Sequence, residues 1–339
     1  MARLQALIPP TLSTRLFVLI TIIETIVDIT IEAILLNKFE LRNVFAVSSA
    51  DETIHENDQV LPVYLGIFVL AHFFQLFLAI EGIRNKNTIQ IMGLCAFNAA
   101  FLAYSVIQVC ALPSLYDVTG LVTVIPVMIA VAEVAFLALT WFIFREFGWQ
   151  IYKKIGADRT LKKMYMWYQV FICLLKFDYF FFISFSLQLV LLVENLKDFE
   201  RYLTIAAIPI ILIGLFAGAI AVRRENKKLM IGFIASCALG AAYFAFKLFR
   251  IYHKRDTDYA LVFKSLTVFA ALSLILLLIT VWIAYMCLMN FGKELKFHLT
   301  HHARSKAEKA YEADMKGAAH LPLGSISGSI NNPSRLSID

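Results

Sequence analysis

Polar residues interrupt this chain rather than fill it, and their spacing predicts its elements. Eight apolar runs, at about 15–36, 62–82, 88–111, 121–144, 165–193, 202–222, 229–250 and 264–289, are each long enough to cross roughly 30 Å of hydrocarbon as an α-helix. Short polar segments separate them. The pattern predicts an all-α fold: a polytopic membrane helix bundle of eight transmembrane helices. Gly214 and Gly218 form a GxxxG pattern in the sixth run, and Gly232, Ser236 and Gly240 repeat a small residue every four in the seventh. Small faces let helix backbones approach closely, which predicts that runs six and seven pack on each other. No internal repeat is visible in the sequence.

The informative residues are the charges inside these runs. The first contains "IIETIVDITIEAIL" (22–35), with Glu24, Asp28 and Glu32 four residues apart and so on one helix face. His72, Asn98, Glu133, Lys176, Asp178 and Lys247 interrupt five other runs. Counted inward from the predicted cytosolic ends, Glu24, Asp28, His72, Asn98, Glu133, Lys176 and Asp178 fall roughly 14–20 Å deep. That is one layer near the bilayer midplane, shared by spans one to five. Glu32 lies higher, near the level of Lys247. A charge at the centre of a spanning helix costs about 2.5–3.5 kcal/mol on insertion scales. These groups are therefore expected to face one another or a wet cavity, as a polar core. Two bases, Lys176 and Lys247, meet five acids, Glu24, Asp28, Glu32, Glu133 and Asp178, so pairing leaves acids uncompensated. Three readings stay open: a satisfied network that fixes helix register, a proton or cation site, or a polar pocket for a lipid headgroup or other small ligand.

Charge between the runs sets orientation. Arg84 and Lys86, then Arg145, Lys153, Lys154, Arg159, Lys162 and Lys163, then Arg223, Arg224, Lys227 and Lys228 occupy alternate loops. The acidic segments "SSADETIHENDQ" and "VENLKDFER" occupy the opposite set. Basic residues accumulate on the cytosolic side, so both termini are expected there. Lys254 and Arg255 run against this, partly offset by Asp256 and Asp258. The predicted organisation is a cytosolic N-terminus (1–14), the eight-span domain (15–292), a cytosolic polar helix (293–318) and a disordered Ser/Asn/Gly-rich tail (319–339). The segment 145–164 mixes Trp149, Ile151, Tyr152 and Ile155 with its lysines. It reads either as a helix lying on anionic lipid headgroups or as a solvated basic loop.

Composition agrees: 339 residues, 60% hydrophobic, with a net charge of +6. No cleavable signal peptide and no Asn-x-Ser/Thr acceptor are read. The five cysteines fall in or beside apolar runs without metal or disulfide spacing. His298, His301 and His302 find no further ligand set, so neither metal nor cofactor is expected. No GxSxG, GxGD, P-loop or His-rich zinc pattern is found, and a non-enzymatic role is expected. The expected partners are the lipid bilayer, with anionic headgroups at 145–164 and a proton, cation or small ligand at the acid layer, and no nucleic acid.

The stretch "REFGWQIYKKIGADRTLKKMYMWYQVFICLLKFDYFFF" (145–182) resembles an uncharacterised fungal family of multi-pass Golgi apparatus membrane proteins. "ETIVDITIEA", "LPVYLGIFVLAHFFQL", "IPVMIAVAEV", "LTIAAIPI", "RRENKK" and "KSLTVFAALSLILLLIT" are similar too. The resemblance extends to about Lys296, and the tail departs from it. It implies a Golgi or neighbouring endomembrane location and a polytopic fold, and it transfers no catalytic residue. The function expected is transporter-like or ligand-binding at the polar core. The alternative is a structural or trafficking factor whose intramembrane charges only hold the bundle together.

Overall fold

Every apolar run is a helix. In chain order they are α1 (Leu12–Ser48), α2 (Val60–Arg84), α3 (Thr88–Ala111), α4 (Thr119–Ile155), α5 (Arg159–Leu192), α6 (Asp198–Arg224), α7 (Lys227–His253) and α8 (Phe263–Met289). This computed structural model describes residues 11–48, 60–111, 119–155, 159–192, 198–254 and 263–292, and among them no strand occurs. All lie within the unit Met1–Leu295. The expected polar helix (293–318), the tail and most of the acidic segment 48–59 lie outside the described residues. Seven helices, α2 to α8, are long and apolar enough to cross a membrane. The exception is α1, in which every window long enough to span holds at least three charged residues, its three acids foremost.

Neighbour relations divide the helices into two rings of four. In the first, α1 packs on α2, α2 on α3, α3 on α4 and α4 back on α1. In the second, α5 packs on α6, α6 on α7, α7 on α8 and α8 back on α5. The rings meet where α5 lies against α2 and α3. The aromatic run of α5 explains this shared wall. Phe177, Phe180 and Phe181 belong to the core of the first ring, and Phe171, Phe182 and Phe185 to that of the second. Phe180 stacks on Phe74 with ring centroids 4.8 Å apart, while Phe185 meets Phe244 at 5.3 Å. These rings are thus packed between helices rather than turned to lipid. The outward faces are apolar as well: Ile23 and Ile26 on α1, Val131 and Val134 on α4, and Ile213 and Phe216 on α6 are exposed. A bundle greasy inside and outside is what a lipid solvent selects.

The same turn joins the second and third helices of each ring. Lys86 and Glu225 have φ of 52° and 51°. The next residue, Asn87 or Asn226, sends its N–H back five residues, to Gly82 O at 2.8 Å or Ala221 O at 3.0 Å. It then caps the following helix, its side chain accepting from Gln90 N or Leu229 N. One asparagine thus closes one helix and opens the next, which lets two or three residues make the hairpin.

The small-residue face is used within the chain. A Cβ at Gly218 would lie 2.7 Å from the Phe233 ring on α7, whereas one at Gly214 would meet nothing nearer than Ser236 Oγ at 3.8 Å. Gly218→Ala is expected to cost about 1–3 kcal/mol by forcing α6 from α7. Gly214→Ala should be neutral or slightly stabilising through helix propensity. Thermal melts of the two variants in mild detergent check this.

The segment 145–164 is not a loop over its described residues: α4 runs unbroken to Ile155 and α5 starts at Arg159. Trp149 and Tyr152 are compatible with helix, and no proline or glycine between 149 and 155 stops it.

Candidate functional site

The buried face of α1 enters the first ring. Glu24, Asp28 and Glu32 are 1%, 0% and 1% exposed, and each is one turn from the next. Opposite them, α2 contributes His72 and Gln75, three residues apart on one face and both fully buried. The contacts pair Glu24 with Gln75 and Asp28 with His72. An advance along α1 is thus a retreat along α2, so the two helices are antiparallel.

Two arrangements result. The first is a chain of amides and acids threading all four helices. Gln75 Nε2 donates to Glu24 Oε2 at 2.9 Å and to Asn98 Oδ1 at 3.0 Å, and Asn98 Nδ2 donates to Glu133 Oε2 at 3.1 Å. The second has almost no donors. His72 Nε2 lies 3.5 Å from Asp28 Oδ2, at ion-pair range but without hydrogen-bond geometry. Both oxygens of Asp28, both of Glu32, Glu24 Oε1, Thr25 Oγ1, Gln75 Oε1 and both ring nitrogens of His72 are buried with no hydrogen-bonding partner. The His72 ring is fixed edge-on between Phe68 and Phe101, with centroids 5.2 Å and 4.9 Å away. A buried carboxylate without donors needs a proton or a cation beside it, because desolvation of a bare charge costs several kcal/mol.

The nine expected core residues, seven of them expected in one layer, are not all brought together. Glu24, Asp28, Glu32, His72, Asn98 and Glu133 meet in the first ring. The other three are placed elsewhere. Lys176 bridges the rings: its Nζ reaches Glu81 and, at 2.6 Å, Gln90 Oε1. Gln90 Nε2 in turn donates to Glu81 Oε2 at 2.9 Å and Leu78 O at 2.8 Å. Glu81 is three residues from the end of α2, so Lys176 sits near that end and not at mid-depth. The depth count took the start of the apolar run as the membrane boundary, whereas α5 begins at Arg159 and its first turns run past the end of α2 before Lys176 meets Glu81. Asp178 faces the second ring and accepts from Thr280 Oγ1 on α8 at 2.6 Å. Lys247 is buried in α7 with its ammonium 5.8 Å from the Tyr243 ring centroid, away from Glu32 on α1. Lys176 and Lys247, the two bases expected to neutralise the acid face, are therefore engaged elsewhere.

Gln75, Glu81, Gln90 and Thr280 were missed by sequence reasoning. Gln75 was findable, since it follows His72 by three residues within the same run. Glu81 and Gln90 lie too near the run ends to look anomalous. Among the described residues, no three His, Cys, Asp or Glu side chains are grouped to hold a metal ion. The described cysteines, Cys95, Cys173, Cys237 and Cys287, are buried and free. Of the basic segment, Arg159, Lys162 and Lys163 are exposed at the start of α5. Lys153 and Lys154 fall in the last turn of α4, where side chains lie outside the described residues. His298, His301 and His302 lie outside them too.

Comparison with known proteins finds a UPF0658 Golgi apparatus membrane protein of Schizosaccharomyces pombe. It is 30% identical over 273 residues, covering 70% of this chain and 77% of the relative. No protein-family model and no solved structure matches the chain.

Proposed function

The chain belongs to the UPF0658 family of Golgi apparatus membrane proteins, and we propose that in that membrane it is a transporter-like protein that binds a proton or small cation at the acid face of its first ring. One observation carries this reading: Asp28 and Glu32, fully buried, have no donor on any of their four oxygens, and the unpartnered His72 ring stands 3.5 Å from Asp28. A histidine beside a carboxylate can take and return a proton with little rearrangement.

The reading includes eight spans, α1 among them, with both termini cytosolic. The start of α1, the turns at 85–87 and 225–226, and the end of α8 gather at one end of the bundle. Thr11 Oγ1 donates to Glu146 on α4 at 2.9 Å, and Gly292 N donates to Glu225 at 3.2 Å. That end presents exposed Arg84, Lys86, Arg145, Arg223 and Arg224, and this excess of cations supports a cytosolic side by the positive-inside rule. Arg159, Lys162 and Lys163 continue the basic surface toward anionic headgroups.

The test is reconstitution into liposomes loaded with a pH-sensitive dye. An imposed pH gradient should drive proton entry through the wild type and not through Asp28→Asn, with both proteins accumulating and eluting alike. A second reading draws on the Glu24–Gln75–Asn98–Glu133 chain, which ties four helices together and suits a structural or trafficking factor. It requires that Asp28→Asn fail to accumulate in the membrane, or that wild-type liposomes stay as tight as empty ones.

A further inference from the structure

The buried face of α1 is polar over more than the acid stripe. Thr11 and Thr14 stand at its start, their hydroxyls 3.0 Å apart, with Thr11 bonded to Glu146. Thr21 and Thr25 follow, both buried, and lead to Glu24 and Asp28. From Thr11 to Glu32 the helix rises roughly 30 Å, about the thickness of the hydrocarbon core. Hydroxyl, imidazole and carboxyl groups can each accept a proton on one lone pair and release another, which suits them to proton transfer better than to stripping an ion of its water.

This face has one apolar interruption. Phe17, fully buried, lies between Thr14 and Thr21, and its ring packs on Phe136 of α4 with centroids 4.7 Å apart. Thr14 and Thr21 are separated along the axis by roughly 10 Å. The rings therefore part a cytosolic polar end, built from Thr11, Thr14 and Glu146, from the acid face beyond. Thr21 Oγ1 already turns back onto Phe17 O at 2.9 Å, so it does not bridge the gap.

We infer that the first ring carries a proton along the buried face of α1, and that the Phe17–Phe136 ring pair is the barrier that gates its exchange with the cytosolic side. The inference rests on the acid face being a proton site. No bond other than O–H or N–H forms or breaks: a proton leaves one polar group as another accepts it. The second ring buries polar groups too, Asp178, Gln188, Lys247 and Thr280 among them, but none of its described helices buries a stripe of acids one turn apart.

The experiment uses the full chain in dye-loaded liposomes, with the membrane potential clamped by potassium and valinomycin. Phe17→Ala should admit protons about tenfold faster than wild type. Thr25→Val, isosteric and removing a hydroxyl that has no protein partner, should slow entry about tenfold without lowering the melting temperature. Phe17→Ala combined with Asp28→Asn should return to the rate of empty liposomes. If Asp28→Asn stops entry while Phe17→Ala and Thr25→Val match wild type, the path and gate are wrong and the acid site stands. Should Phe17→Ala aggregate, Thr25→Val decides alone. If wild type and every variant equal empty liposomes, the site and the path both fall.

Discussion

Asp28→Asn and Glu32→Gln are each expected to make the protein more heat-stable while abolishing proton entry. Each replaces a carboxyl by an amide of nearly the same shape, so packing is kept. What is removed is a group whose charged form has no donor and whose neighbours on α1, one turn away, are acids too. The amide has no charge to desolvate and brings N–H donors that a carboxyl one turn away can accept from, a gain of about 1–3 kcal/mol. At this chain length that is a rise of a few degrees in melting temperature. Gln75→Leu is the contrast. It deletes the donor to both Glu24 and Asn98, and should cost about 1–3 kcal/mol by orphaning them. If all three variants are destabilised alike, the acids are framework and the proton reading loses its support. A gain for the first two with loss for the third would mark Asp28 and Glu32 as groups retained at the expense of stability.

Lys176→Glu is expected to have the largest effect on accumulation. Lys176 is the cation at the contact between the rings, with Glu81 and Gln90 around its ammonium. Reversal sets two carboxylates against each other where side-chain exposure is only 16% for Lys176 and 25% for Glu81. Breaking a fully buried pair costs about 3–5 kcal/mol, and partial exposure lowers this to roughly 2–3 kcal/mol. The protein should fall several-fold in the membrane fraction. Adding Glu81→Lys should restore most of it, but not all, because Gln90 must turn its amide to serve the reversed pair and would then leave Leu78 O without its donor. A double variant no better than Lys176→Glu would mean the contact depends on shape and not on charge.

Sequence alone determined the solvent, the elements and the charge asymmetry. Twenty-odd apolar residues in a row admit only a helix in lipid, because backbone groups there have no water to bond. The step of four that aligns Glu24, Asp28 and Glu32 is a property of the helix, legible before any partner is known. Family and compartment were legible as well, carried by the stretch 145–182 and matched by the fission-yeast relative. Tertiary structure decided which charges meet. Depth along a helix is a one-dimensional count, and it made Lys176, Asp178 and Lys247 neighbours of the acids. Which helix stands beside which, and with what stagger, follows from side-chain packing such as the division of the α5 phenylalanines between two cores. That division gave Lys176 to Glu81 and Asp178 to Thr280, and left Asp28 facing His72 and Glu32 without a donor.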